Sequence, residues 1–122
     1  MFLQLAHTKL EVYNVTQSLT IEAYKVTRKF PVEEKFGMIS QIRRAALSVH
    51  LNLAEGCSRK SQKERYRFFE IARGSVIEVD SAPEIASELG YTSSEEIQQL
   101  GDNIIKAFKL LSGLIKSEET HH

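Results

Sequence analysis

Apolar residues recur along most of the chain at intervals of three and four positions, the period of an α-helix that buries one face. Breaks in this pattern divide the chain into four long segments, with no strand-like alternation between them. We predict helices over residues 9–29, 32–55, 62–89 and 94–116. Because short connections make successive helices antiparallel neighbours, the predicted fold is an all-α, up-down-up-down four-helix bundle, with residues 1–122 as one domain.

Helix boundaries are indicated by residues that satisfy or end the backbone hydrogen-bond pattern. Capping boxes, in which a Ser or Thr is followed three residues later by Glu, predict three helix starts. They lie at Thr8–Glu11, Ser61–Glu64 and Ser93–Glu96. Pro31 separates the first two helices, because proline disfavours helical geometry at the residue before it. Gly56 and Gly90 are predicted to close the second and third helices, and the polar tail after Lys116 is expected to fray.

Pro83 lies inside the third segment. A proline in a helix interior removes a backbone donor and clashes with the carbonyl four residues earlier, which costs about 3 kcal/mol unless the helix bends. Since the helical pattern resumes over residues 84–89, we predict a kink at Pro83 rather than a helix end.

The inward faces of the first and last helices follow from the same spacing. In the first helix the predicted stripe is Leu10, Tyr13, Gln17, Thr20 or Ile21, Tyr24, and Thr27 or Arg28. In the last helix it is Ile97, Leu100, Ile104, Phe108 beside Ala107, Leu111, and Leu114 or Ile115. The last stripe is the more regular, as expected for a helix packed nearly parallel to its neighbours.

The second helix is apolar on more than one face. No charged residue occurs between Ala45 and Ala54. One stripe comprises Phe36, Ile39, Ile42, Ala46, Val49 and Leu53, and Leu47 and Leu51 lie outside it. A helix that is apolar all round is buried on several sides. We therefore predict that it packs on its own bundle and on a second copy, although single exposed apolar residues are also common on protein surfaces.

The amino-acid composition and the cysteine count favour a soluble protein in a reducing compartment. Hydrophobic residues make up 42% of the 122 residues and charged residues 26%, as in ordinary globular domains. Cys57 is the only cysteine, which excludes an intrachain disulfide and fits a cytoplasmic location. It has no catalytic partner nearby in sequence, and we assign no function to His121 and His122.

Charge is unevenly distributed although the net charge is zero. Residues 1–40 carry five Lys/Arg and four Asp/Glu, residues 41–75 carry eight and three, and residues 76–122 carry three and nine. The neutral total argues against a general nucleic-acid coat, but the basic middle third can form a local patch.

The cations of that third are candidate phosphate ligands around the turn between the second and third helices. They are Arg43, Arg44, Arg59, Lys60, Lys63, Arg65, Arg67 and Arg73. Lys and Arg neutralise phosphates and make binding fall with salt, while Tyr66 and Phe69 would add base stacking. The alternative is a solvated face with ion pairs, such as Arg44 with Glu55 or Glu78. We favour the structural role for Arg43 and Arg44 and leave both open for the turn residues.

Several polar and small residues have candidate structural roles. Asn52 and Glu55 would line a pocket or, as we favour, form hydrogen bonds across helices or subunits. Gly74 and Ser75 would let a neighbouring helix approach closely.

Catalytic and metal-binding patterns are scarce. The spacing Glu-x-x-His that di-iron bundles need occurs only in the last five residues, at Glu118–His121 and the overlapping Glu119–His122. The sequence contains no zinc spacing and no Gly-rich phosphate loop, so we expect neither a metal, nor a cofactor, nor enzymatic activity.

A family resemblance follows from particular residues. The runs EKFG at residues 34–37, QIRRAA at 41–46 and AEG at 54–56, with Ser48, Asn52, Ala72, Gly74, Ser75 and Glu78, resemble the 23S ribosomal RNA intervening-sequence proteins. The likeness covers about residues 8–116. His50 and Leu51 depart from a Pro-Ala pair that is frequent in the family, and Pro83 falls where a helix former is usual.

The resemblance implies a bacterial homopentamer of four-helix bundles with a nucleic-acid-binding role. A related branch, the accessory protein of diversity-generating retroelements, binds nucleic acid and a reverse transcriptase. We therefore expect a self-associating bundle that binds structured RNA or DNA. The alternative function is a protein-interaction scaffold for a partner enzyme such as a reverse transcriptase.

Overall fold

The computed structural model describes residues 2–119, which form helices and turns and contain no strand. The α-helices are α1 (Glu11–Thr27), α2 (Met38–Ser58), α3 (Gln62–Ser81), α4 (Pro83–Glu88) and α5 (Gln98–Glu119), and short 3-10 helices occupy Ala6–Lys9 and Val32–Glu34. α1 packs on α2 and α5, and α3 packs on the same two helices. The four long helices therefore lie in the cyclic order α1, α2, α3, α5, which confirms the four-helix fold.

The core runs along the axis of this bundle. Leu19 of α1, Leu53 of α2, Val79 of α3 and Leu111 of α5 each have no exposed surface. Fully burying an aliphatic side chain of this size contributes about 1.5–3 kcal/mol, so the four helices share one apolar interior.

The predicted inward stripe of α1 is wrong. Leu10, Gln17, Ile21 and Tyr24 are exposed, and only Tyr13 and Thr27 of that set are buried. The buried stripe is Val12, Val15, Thr16, Leu19, Ala23 and Val26. Most of these residues are small or β-branched. The buried threonine hydroxyls of α1 donate to backbone carbonyls, as Thr27 Oγ1 does to the Ala23 oxygen at 2.8 Å.

Two of the three predicted caps form. The Ser61 hydroxyl accepts from the Glu64 N–H at 3.3 Å and caps α3. Ser93 accepts from the Glu96 N–H, but this pair caps a turn, because α5 begins only at Gln98. The predicted cap at Thr8 is wrong, since its hydroxyl donates to the Leu5 carbonyl within a 3-10 turn and α1 starts later.

The second helix is shifted toward the C-terminus relative to the prediction. Its expected first turn is a 3-10 helix, and Gly37 precedes α2 with non-helical dihedrals. Phe36, predicted in the inward stripe, is 88% exposed. α2 continues through Gly56, which is buried and does not close the helix. A Cβ on Gly56 would lie 2.7 Å from Cε1 of Phe69, so this glycine is needed for close packing of α2 on α3.

The bend at Pro83 is confirmed. Ala82 keeps right-handed helical dihedrals between α3 and α4, and Pro83 occupies the first turn of α4, where its missing N–H is harmless. Gly90, with φ of +80°, ends α4 as predicted. The Tyr91 N–H donates to the Ala86 oxygen at 2.9 Å and the Gly90 N–H to the Ser87 oxygen at 3.0 Å, which is a Schellman motif.

The end of the chain is more ordered than predicted. α5 continues past Lys116 to Glu119 rather than fraying. Over residues 2–119, no helix has both the length and the apolar character that crossing a membrane requires.

Candidate nucleic-acid interface

The turn between α2 and α3 brings most of the predicted cations to one end of the bundle. Because α5 runs antiparallel to α3, its C-terminal turn lies beside them. We call this region the basic end and define it as residues 55–67 and 116–119. It carries six Lys/Arg and four Asp/Glu. Apart from the exposed Lys116 of α5, its cations divide into those that hold the fold together and those that face solvent without an ion-pair partner.

Arg65 belongs to the first group. Its Nε and Nη2 donate to the two carboxylate oxygens of Glu118 at 2.8 and 3.2 Å. Its Nη1 donates to the carbonyls of Arg59 and Lys60 at 3.2 and 2.6 Å. The hydrogen bond to Glu118 raises the pKa of Arg65 further above its usual range. Arg65 therefore fastens the α2–α3 turn to the end of α5, and its donors are occupied.

The neighbours of Arg65 reinforce this junction. Gln62 donates to the Glu118 carbonyl, and the Tyr66 hydroxyl donates to Glu119 at 3.1 Å, which raises the pKa of Tyr66. Arg59 pairs with Glu55 at 3.5 Å and with Glu64 at 3.8 Å. Its guanidinium also lies over the Phe68 ring.

Lys60, Lys63 and Arg67 form the second group. All three are exposed, and their side chains make no ion pair within residues 2–119. Lys63 and Arg67 are one helical turn apart, so they project from the same side of α3. Lys63 also borders a surface depression beside Tyr66 and Glu119. We call these three residues the free cations.

The remaining predicted phosphate ligands are distant from the free cations or occupied. Arg43 donates from Nε to the Thr27 hydroxyl at 2.8 Å and from Nη2 to the Tyr24 carbonyl, and its guanidinium stacks on the Tyr24 ring. Arg73 pairs with Glu70 at 3.8 Å and donates to Ser112. The guanidinium of Arg43 is therefore held by contacts with α1.

Base stacking on Phe69 is excluded in this fold. Phe69 is 3% exposed and lies against Gly56. Of the two adjacent phenylalanines, Phe69 faces the core and Phe68 is half-buried. Tyr66 is half-buried and remains beside the basic end.

Arg44 has no ion pair within the described part of the chain, so the predicted pairs with Glu55 and Glu78 do not form in one copy. It borders a polar cleft between α2 and α3 together with Gln41, Ser75 and Glu78. Glu55 instead pairs with Arg59.

The floor of that cleft is a hydrogen-bonded contact between small side chains. The Ser48 and Ser75 hydroxyls are 2.9 Å apart, and Asn52 Nδ2 donates to the Ser48 carbonyl and hydroxyl at 2.9 and 3.0 Å. Asn52 therefore bonds within α2, and its predicted hydrogen bond across helices or subunits stays a prediction, whereas the contact of Ser75 with Ser48 brings the two helices close together. Gly74 does not, because a Cβ there would meet no atom within 4 Å.

A histidine cluster near the basic end was not predicted. His50 Nδ1 lies 2.8 Å from the Thr16 hydroxyl, and its ring lies 4.6 Å from the ring of Tyr13, which also contacts His7. Burial, and secondarily the nearby His7, lower the pKa of His50. One signal in the sequence could have indicated this site, because His50 is a polar residue within the uncharged run from Ala45 to Ala54.

No group of three or more His, Cys, Asp or Glu side chains in residues 2–119 is arranged to hold a metal ion. Burial and Glu118 raise the pKa of the half-buried Cys57 thiol, which disfavours the nucleophilic thiolate. His121 and His122, including the Glu118–His121 spacing, lie outside the described residues.

Comparison with protein-family models matches residues 8–113 to the family described as 23S rRNA-intervening sequence protein. The chain belongs to this family. No curated protein sequence gives a significant match. The 23S rRNA-intervening sequence protein match covers the turn that bears the free cations but stops before Glu118. The hydrogen bonds from Arg65 to Glu118 therefore join a residue inside the matched region to one beyond it.

Proposed function

We propose that this 23S rRNA-intervening sequence protein binds structured RNA through its free cations, without catalysing a reaction. The observation that carries the proposal is the arrangement of Lys60, Lys63 and Arg67, three exposed cations without ion-pair partners at one end of a rigid bundle. Phosphate contacts by Lys and Arg supply most sequence-independent affinity for nucleic acid. The family name supports ribosomal RNA as the first ligand to test.

Arg65 and Arg59 hold the surface in place under this proposal rather than binding RNA themselves. Their donors already face carboxylates and carbonyls of the protein. A rigid turn presents the free cations without the entropic cost of ordering a loop on binding. Arg43 and Arg44, on α2 away from this turn, are left out of the proposed RNA surface.

A matched pair of triple variants tests the proposal. Lys60, Lys63 and Arg67 are changed to Ala in one variant, and Lys25, Arg28 and Lys29 in the control, so that both lose the same formal charge. Gel shifts at low salt use a structured fragment of 23S rRNA. We expect at least a tenfold weaker affinity for the first variant and little change for the control. Equal affinities, or no binding by the wild type, would refute the proposal.

The second candidate function is a scaffold for a partner protein, such as a reverse transcriptase. It is favoured by apolar side chains that a lone copy leaves in solvent, among them Phe36, Leu51 and Ile105, each more than half exposed. Co-purification of a stoichiometric protein, without nucleic-acid absorbance, would support this function over RNA binding.

Self-association and a cytoplasmic location complete the proposal. Leu47 and Leu51 lie on the outer side of α2, 39% and 55% exposed, where a second copy would cover them. Family likeness favours a pentamer, and assembly would repeat the free cations around one particle. Light scattering that reports a lone 13.9 kDa particle at working concentrations would contradict it.

A further inference from the structure

A surface depression lies at the basic end, where the first turns of α3 meet the last turn of α5. It is lined by Ser61, Gln62, Lys63, Tyr66 and Glu119 and has a volume of about 510 Å³, which is within the range of small-molecule sites. Lys63 is also one of the free cations. A group bound in the depression would therefore lie directly beside the phosphate-binding surface proposed above.

Tyr66 supplies an aromatic wall of the depression. Its ring is half-buried and packs against the hydrophobic core, and its hydroxyl donates to Glu119 Oε1 at 3.1 Å. The ring is thus held both on its inner side and at its hydroxyl, so a flat ligand that stacks on it need not order a mobile side chain first. Every nucleobase has a flat face that can stack on an aromatic ring.

The carboxylate of the depression favours a base that donates hydrogen bonds. An ionised carboxylate only accepts, and each of its oxygens has two lone pairs. The Tyr66 hydroxyl occupies one lone pair of Glu119 Oε1, so both oxygens can still accept from a ligand. Guanine presents two adjacent donors, N1–H and N2–H, on its Watson–Crick edge. Uracil presents a single donor between two carbonyl oxygens, which a carboxylate repels.

A base can enter this depression only where it is unpaired. In an A-form RNA helix the bases are stacked and their Watson–Crick edges are occupied, and sequence-specific recognition of RNA mostly targets loops and bulges. The free cations do not share this restriction, because phosphates are present on paired and unpaired nucleotides alike. The two parts of the basic end are therefore suited to different features of one RNA.

We infer that the depression beside Tyr66 binds an unpaired guanine of a structured RNA, whose neighbouring phosphates lie on the free cations. This inference rests on the RNA binding proposed above and names the feature of the RNA that the same site recognises. The guanine stacks on the Tyr66 ring, and Glu119 accepts hydrogen bonds from its N1–H and N2–H. Lys63, at the rim of the depression, contacts the adjacent phosphate.

RNA duplexes with one bulged nucleotide, G or U, test this assignment against a fully paired duplex of the same stem. Fluorescence anisotropy at one salt concentration gives the affinities. We expect the wild type to bind the G bulge about 5- to 100-fold more tightly than the paired duplex, the range for stacking of one base on an aromatic side chain. The U bulge should bind less tightly than the G bulge.

Three variants separate stacking from base recognition. Tyr66→Leu should abolish the preference for a bulged over a paired duplex, whereas Tyr66→Phe should keep it because the ring remains. Glu119→Gln should retain the preference for a bulge but reduce the ratio of G to U affinity. Glu119 is exposed, so this last variant tests the site even if Tyr66→Leu disturbs the fold.

Binding of the paired duplex is the control, because none of these variants alters a free cation. A wild type that binds bulged and paired duplexes equally, or a Tyr66→Leu variant that keeps the full preference, would overturn the inference and leave the RNA proposal standing. An unchanged ratio of G to U affinity in Glu119→Gln would overturn the choice of guanine. A wild type that binds none of these RNAs would overturn both proposals.

Discussion

The two ends of the bundle close in opposite ways. At the basic end, α2 meets α3 where a side chain is absent: Gly56 lies against the ring of Phe69. At the other end, residues 28–38 and 82–98, a large side chain fills the space: Phe30, 6% exposed, packs on Tyr91 with ring centroids 5.6 Å apart. We call the second region the acidic end, because it carries three Lys/Arg and six Asp/Glu.

The two ends also differ in the side-chain hydrogen bonds that hold them together. The basic end is fastened by Arg65, whose guanidinium donates to the Glu118 carboxylate and to two backbone carbonyls. At the acidic end the Tyr91 hydroxyl donates to Glu34 at 2.9 Å, which raises the pKa of Tyr91, and Lys29 pairs with Glu96. Among the described residues, the basic end keeps Lys60, Lys63 and Arg67 without an ion pair, whereas the acidic end keeps Arg28 and Lys35. The comparison explains why net charge alone would not locate a binding surface.

The largest effect is expected at the acidic end. Phe30→Ala should lower the free energy of unfolding by about 3–5 kcal/mol, because it removes a buried ring and leaves a cavity beside Tyr91. Phe30→Leu, which keeps most of the apolar volume, is the control and should lose clearly less. Urea unfolding followed by circular dichroism measures both. Equal losses would show that the aromatic contact and the cavity do not matter.

The basic end should respond to an added methyl group. Gly56→Ala and Gly74→Ala gain the same helix propensity, up to about 1 kcal/mol. A Cβ at Gly56 meets Phe69 at 2.7 Å, whereas one at Gly74 meets nothing. The two free energies of unfolding should therefore differ by about 1–3 kcal/mol, with Gly56→Ala the less stable. If the two variants are equally stable, close packing at Gly56 is not required.

The histidine cluster near the basic end and the acidic end should also differ in their response to acid. The pKa of His50 is lowered below the usual 6.5, so the unfolded chain binds that proton more readily than the fold does. Stability should fall as pH drops below 6.5 through the lowered pKa, and this component should be absent in His50→Gln. At the acidic end the pKa of Glu96 is lowered by Lys29 and Ser93, so its contribution is present above the usual 4.5 and is lost only as pH falls below it. Urea unfolding at a series of pH values compares wild type with variant. Parallel curves would contradict the assignment to His50.

The smallest effect is expected for the ion pair at the acidic end. Lys29 and Glu96 are 3.2 Å apart, but their side chains are 71% and 40% exposed. Solvent and salt screen such pairs, so Lys29→Met should leave the melting temperature almost unchanged. A clear loss that vanishes in high salt would assign the pair a larger role.

Much of the fold could be predicted because the strongest patterns are local. The bend at Pro83, the cap at Ser61 and the left-handed Gly90 each follow from one residue and its immediate neighbours. The inward face of α5 was largely correct, although Phe108 is 40% exposed and the polar Asn103 is buried. Its apolar period is unbroken, so few rotations of the helix bury it equally well.

The predictions from the sequence are wrong where the burial or the partner of a residue depends on packing between helices. The predicted stripe of α1 contains larger residues such as Tyr24, but the neighbouring helices pack against Ala23 and Val26 instead. Gly56 fits a helix end and a close contact equally well in sequence, and only the position of Phe69 decides between them. The sequence also could not show which basic residues form ion pairs, because the partner of Arg65 is Glu118, which lies 53 positions later in the chain.

The salt dependence of RNA affinity tests the central claim most directly. Binding of the structured 23S rRNA fragment is measured by fluorescence anisotropy over a range of salt concentrations, for wild type and for the variant with Lys60, Lys63 and Arg67 changed to Ala. If each free cation neutralises one phosphate, the slope of log affinity against log salt should be shallower in the variant by about 2–3 units per bound copy. Identical slopes would contradict the claim that these three residues form the RNA-binding surface.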